Sequence, residues 1–111
     1  MNWIPLQSDD QLDQIVSESA IQPKVIFKHS TRCSISSMAK NRLERMQSPE
    51  NIDFYYLDLL KYRNISNKIA EQFAVRHQSP QILVIQDGKC IYDESHSGIN
   101  MEDIETQVRK N

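Results

Sequence analysis

The sequence predicts an α/β fold, with a central mixed sheet of four strands and helices on both faces. Three observations carry that expectation. Short β-rich apolar runs alternate with stretches of helical periodicity along the chain. The first such run, Lys24-Val25-Ile26-Phe27-Lys28, leads through a short polar turn into the best amphipathic helix of the sequence. Near the end, Asp87-Gly88 stands between two apolar runs, the strongest short-range hairpin signal.

The first helix is expected over residues 8–19. Ser8 and Gln11 have capping-box spacing, Asp9 and Asp10 suit the positive helix start, and Leu12, Ile15 and Val16 supply an apolar face. Gln22-Pro23 closes this segment. Residues 24–28 read as a buried strand. After His29-Ser30-Thr31-Arg32-Cys33-Ser34, the apolar residues Ile35, Met38, Ala39, Leu43 and Met46 keep helical spacing up to Ser48-Pro49. Residues 52–59 read as a second strand. Asn64 or Ser66 is the expected cap of a third helix that buries Ile65, Ile69, Ala70 and Phe73. Residues 81–86 and 89–94 form the hairpin around Asp87-Gly88. A last helix starts near Asn100, with Met101, Ile104 and Val108 on one face. The early strand-helix-strand unit needs a parallel pair and the hairpin an antiparallel one, so the sheet is mixed.

At 111 residues, 39% of them apolar and 25% charged, the chain is expected to form one domain over residues 1–111. No run approaches the roughly 20 apolar residues of a membrane span. Met1-Asn2-Trp3-Ile4-Pro5 lacks the basic start and apolar core of an export signal. A net charge of -2 argues against a nucleic-acid binder. The two cysteines, Cys33 and Cys90, are too few to staple a small secreted fold, so a reducing cytoplasm is the expected setting. His29, His77 and His96 share no metal-ligand spacing with the cysteines or each other, so no metal is expected.

Cys33 carries the chemistry. It stands where a buried strand becomes a helix, facing the unpaired N–H groups and positive dipole end of the first turn. That setting favours the nucleophilic thiolate. Arg32 adds a positive charge beside it, and Ser36, one turn along, is a candidate hydrogen-bond donor to the sulfur. Thr31, Arg32, Ser34 and Ser36 are therefore the candidates for stabilising the thiolate or binding substrate. His29 reads as a satisfied strand-end histidine rather than a base. Cys90, in the second hairpin strand, reads as packing.

A strand, a cysteine opening the next helix and a Ser-Pro before a hairpin make up the thioredoxin-like arrangement. Here the usual C-x-x-C is Cys33-Ser34-Ile35-Ser36, with a hydroxyl in place of the second sulfur. Across residues 3–110 the chain resembles the YtxJ family, the monothiol bacilliredoxins. The resemblance rests on Lys28-His29-Ser30-Thr31-Arg32-Cys33-Ser34-Ile35-Ser36, on Asn64-Ile65-Ser66-Asn67-Lys68-Ile69-Ala70 and on His77-Gln78-Ser79-Pro80-Gln81. It implies a thioredoxin-like fold and a thiol-disulfide oxidoreductase that removes bacillithiol from protein mixed disulfides. Cys33 would be the nucleophile, bacillithiol the thiol co-substrate and bacillithiolated client proteins the partners, with no bound cofactor. It further implies that Pro80 is cis and faces Cys33, with Ser79 offering its backbone to substrate. Arg32 would meet the malate carboxylates of bacillithiol. The resemblance also places Cys90 beyond disulfide reach of Cys33. The alternatives are a non-catalytic thioredoxin-like binding module and a glutaredoxin-like protein that uses another small thiol.

Overall fold

The computed structural model describes residues 1–110. The elements run β1 (Trp3–Pro5), α1 (Asp9–Glu18), β2 (Lys24–His29), α2 (Ser34–Arg45), β3 (Asp53–Asp58), α3 (Arg63–Gln72), β4 (Gln81–Gln86), β5 (Lys89–Ser95) and α4 (Met101–Lys110), with a 3-10 turn at His96–Gly98. The strands form one mixed sheet in the order β1-β3-β2-β4-β5. β3 pairs in parallel with β1 and β2, while β4 runs antiparallel to β2 and β5.

The sheet has five strands where four were expected. The extra one, β1, is three residues long, ends on a proline and pairs only with β3. A proline is tolerated there because β1 is an edge strand. The other differences lie at helix ends and faces. α3 begins at Arg63 with Tyr62 as its N-cap, so Asn64 and Ser66 lie inside it. The turn before it is tied instead by Asp58, whose Oδ1 accepts from the Leu60 and Lys61 N–H groups at 3.2 and 3.4 Å. On α2 only Ser36, Ala39 and Leu43 are buried, whereas Ile35, Met38 and Met46 are 53%, 61% and 47% exposed. Their apolar spacing is real, but it leaves two large side chains on the surface within five residues of Cys33.

Alternation along β2 sorts the core into two layers. Val25 and Phe27 face the layer that α2 and α4 cover, with Ala39, Leu43, Met101 and Ile104. Ile26 faces the layer that α1 and α3 cover, with Leu12, Ile15, Ile65 and Ile69. All six residues of β2 are buried, as a strand covered on both faces must be.

Local chemistry fixes the connections. The Ser8 hydroxyl accepts the Gln11 N–H at 3.2 Å and caps α1. Asp87 and Gly88 both have positive φ, 53° and 74°, the geometry of a two-residue type I′ hairpin. That turn docks on the end of α1: the Gly88 N–H donates to Ser19 Oγ at 2.8 Å and the Asp87 N–H to the Ser19 carbonyl at 2.9 Å. No helix among the described residues is long and apolar enough to cross a membrane.

Candidate active site

The turn after β2 is closed by the Cys33 N–H, which donates to the Ser30 carbonyl at 3.1 Å. Cys33 is the N-cap of α2, in extended backbone (φ -106°, ψ 120°), and its carbonyl accepts the Ser37 N–H at 3.1 Å. No side chain caps the helix. The first-turn amides therefore have no side-chain acceptor, and the Cys33 sulfur is the nearest group in sequence able to take that place. The residue is half-buried, whereas Thr31, Arg32 and Ser34 around it are exposed. Arg32 makes no ion pair among the described residues, which leaves its guanidinium open to an anion.

Ser36 is fully buried. Its Oγ lies 2.6 Å from His29 Nδ1 and accepts the Ser30 N–H at 3.1 Å. The hydroxyl in the second position of the Cys-x-x-Ser motif is thus tied to the strand behind it. His29 is itself buried, 5% exposed, against the rings of Phe27 and Tyr56 at 5.7 and 5.4 Å. Burial, reinforced by the Lys40 ammonium, holds its pKa below the ordinary histidine value. It therefore stays neutral at pH 7. One ring nitrogen then carries a proton and the other a lone pair, so either member of the His29–Ser36 pair can be the donor.

Replacing Ser36 by alanine should leave the Ser30 N–H and His29 Nδ1 buried without a partner. We expect a loss of about 1–3 kcal/mol in stability, read from urea unfolding midpoints. The pair joins residues seven apart, and its sequence signal was a histidine in register with Val25 and Phe27 at the end of a buried strand.

Ser79 and Pro80 lie at the same end of the sheet. Gln81 is paired with Lys28, and Asp58 with His29, so β2, β3 and β4 bring their site-bearing ends together. The Ser79-Pro80 peptide is cis and Pro80 is buried. The Ser79 hydroxyl is buried without a hydrogen-bond partner. The loop is braced by the buried Gln81 side chain, whose Nε2 donates to the Arg76 carbonyl at 3.0 Å and whose Oε1 accepts the Gln78 N–H at 3.4 Å.

Cys90 lies elsewhere. It packs against the α1/α3 layer, on the face of the sheet opposite α2. Its Sγ–H donates to the Tyr92 carbonyl at 3.3 Å. Burial raises its pKa to about 11, so it is a thiol at neutral pH. Both cysteines are free. Among the described residues, no group of three or more His, Cys, Asp or Glu side chains is arranged to hold a metal ion. A surface cavity of about 500 Å³ lies between the 47–52 connection and α4, at the far end of α2 from Cys33. Neither cysteine lines it.

Comparison with known proteins fits this geometry. A solved protein with a thioredoxin fold is similar over 95% of this chain and 92% of its own, at 30% identity and a TM-score of 0.83. Thioredoxin from Trypanosoma brucei brucei shares the fold at 15% identity, with a TM-score of 0.78 and coverage of 98% of this chain and 89% of that one. Mitochondrial thioredoxin 3 from Saccharomyces cerevisiae does so at 15% identity and a TM-score of 0.75, over 98% and 95% of the two chains. The family model described as monothiol bacilliredoxin BrxC matches residues 4–104. With its strand-cysteine-helix site and its thioredoxin fold, the chain belongs to the monothiol bacilliredoxin family of redox proteins.

Proposed function

We propose that the protein removes bacillithiol from protein mixed disulfides, with Cys33 as its one working thiol. The Cys33 thiolate attacks the bacillithiol sulfur of a protein-S-S-bacillithiol disulfide. The client leaves as a thiolate, and Cys33 is left in a disulfide with bacillithiol. A free bacillithiol thiolate then attacks that sulfur, releases the Cys33 thiolate and departs as bacillithiol disulfide. The sum is one disulfide exchanged for another: one free bacillithiol thiol is consumed, one client thiol is released, and both halves of the bacillithiol disulfide come from bacillithiol.

The observation that carries this reading is the isolation of Cys33. It is the N-cap residue of a helix that has no side-chain cap, the second motif position is a tethered hydroxyl, and the other cysteine lies across the sheet. A site with one sulfur must be resolved from outside. Arg32, exposed and without an ion pair among the described residues, suits a carboxylate of the small thiol. Thr31 and Ser34 offer exposed hydroxyls on either side of the sulfur. Beside Pro80, Ser79 offers its backbone N–H and C=O to an extended client segment.

The test is a reduction assay on a bacillithiolated client. Without added thiol, the protein should release one client thiol per molecule and stop. Added bacillithiol should restart it through many cycles. No release in the first arm would overturn the enzyme reading in favour of a binding module. Restart by coenzyme A but not by bacillithiol would change the co-substrate.

A further inference from the structure

β2 buries two lysines, and they are treated differently. Lys24 meets Asp53 and Glu18 carboxylates at 2.6 and 3.1 Å. Burial works against its charge, but those bonds win and its pKa is raised. Lys28 is 0% exposed and forms no salt bridge among the described residues. Its Nζ lies 3.3 Å from His77 Nδ1, and the Ser66 hydroxyl on α3 lies 3.4 Å from the same nitrogen. Burial lowers the Lys28 pKa to about 8, partly countered by Cys90 on β5. A buried cation without a carboxylate is a stability cost, and the group it holds begins the loop that carries Ser79 and Pro80.

We propose that Lys28 and His77 are positioning residues that clamp the 76–80 loop in the place where Ser79 and Pro80 receive the client disulfide. The clamp works from beneath the sheet, on the face opposite Cys33. His77 is exposed, so its ring closes over the buried amine. An ammonium can only donate, so Nδ1 must hold the lone pair and Nε2 the proton. Gln81 closes the loop on itself, and His77 fastens it to β2 and α3. The role in docking rests on the function proposed above; the clamp itself does not.

The clamp should be sensitive to acid. Burial, then the charges of Lys28 and of Arg63 on α3, keep the His77 pKa below the ordinary histidine value. A depressed pKa means the contact is complete above about 6.5 and is lost as the pH falls through the clamped value. Protonation would put a cation at Nδ1 against the Lys28 ammonium. On the alkaline side Lys28 loses its proton near 8, yet the neutral amine still donates, so the contact persists.

The test is amide hydrogen exchange at Gln78 and Ser79, with client KM measured on the same proteins. Lys28→Met and His77→Leu should speed exchange about fivefold, the weight of one hydrogen bond. His77→Gln, which keeps an acceptor, should resemble the wild type. Corrected for intrinsic rates, wild-type exchange should rise below pH 6.5, while His77→Gln stays flat. Client KM should rise about fivefold in the two loosened variants, with Cys33 alkylation by iodoacetamide unchanged. Unchanged exchange in both Lys28→Met and His77→Leu overturns the clamp, as does an acid rise that survives in His77→Gln. A loosened loop with unchanged KM overturns its role in docking. A wild type that fails to reduce the client overturns the proposed activity, and the exchange results still decide the clamp. Should Lys28→Met fail to fold, the exposed His77 variants carry the test.

Discussion

Cys33→Ser is expected to abolish reduction of a bacillithiolated client, while Cys90→Ser keeps the rate within about twofold. Disulfide exchange needs a thiolate, and a serine hydroxyl is not appreciably ionised near neutral pH. The Cys33→Ser variant would keep the N-cap, since serine is a better cap than cysteine, so it should fold and fail only in chemistry. Cys90 lacks each requirement that Cys33 meets. It is on the other face of the sheet, its proton is shared with the Tyr92 carbonyl, and burial raises its pKa to about 11. Single-turnover release of client thiol measures both variants. Loss of activity in Cys90→Ser would mean that a second sulfur takes part.

The second large effect is on stability. Phe27→Ala should cost about 3–5 kcal/mol, a large share of the total for a domain of this size. Phe27 is fully buried at the centre of the α2/α4 layer, with the Trp3 ring at 5.5 Å and the His29 ring at 5.7 Å. Its removal leaves a cavity between the edge strand β1 and the floor of the site. His29 would lose one of its two ring neighbours, and with it the fixed position of its bond to Ser36. Urea unfolding checks the cost. Ile35→Ala, on an exposed turn of α2, should stay within about 0.5 kcal/mol.

What the sequence revealed depended on how local the determinant was. The Asp87-Gly88 turn is written in two adjacent residues whose backbone freedom the hairpin needs, and it formed as expected. Cys33 at the start of a helix is equally local, since a buried strand and an apolar periodicity flank it directly. β1 is not legible because, although Trp3 and Ile4 favour strands, three residues ending in proline are too short to signal one. They become a strand only by pairing with β3. The exposure of Ile35 and Met38 is not legible in the sequence, because helical spacing shows which side chains share a stripe, not whether anything covers it.

The polar contacts behind the site illustrate the same limit. His29 and Ser36 lie seven residues apart across one turn, and the parity of β2 already put His29 on the α2 side. Lys28 and His77 lie 49 apart. Lys28 stands in a strand buried on both faces, but His77 comes within its reach only because the antiparallel pairing of β2 with β4 sets Gln81 beside Lys28 and the preceding loop against it.

The most direct test of the monothiol mechanism is the site of the adduct. The protein is reacted with a bacillithiolated client in the absence of free thiol, quenched by acid and digested, and the peptides are weighed. The expected product holds one bacillithiol per chain, carried on the peptide that contains Cys33. Bacillithiol on Cys90, or a client disulfide that remains intact beside an unmodified Cys33, would contradict the mechanism.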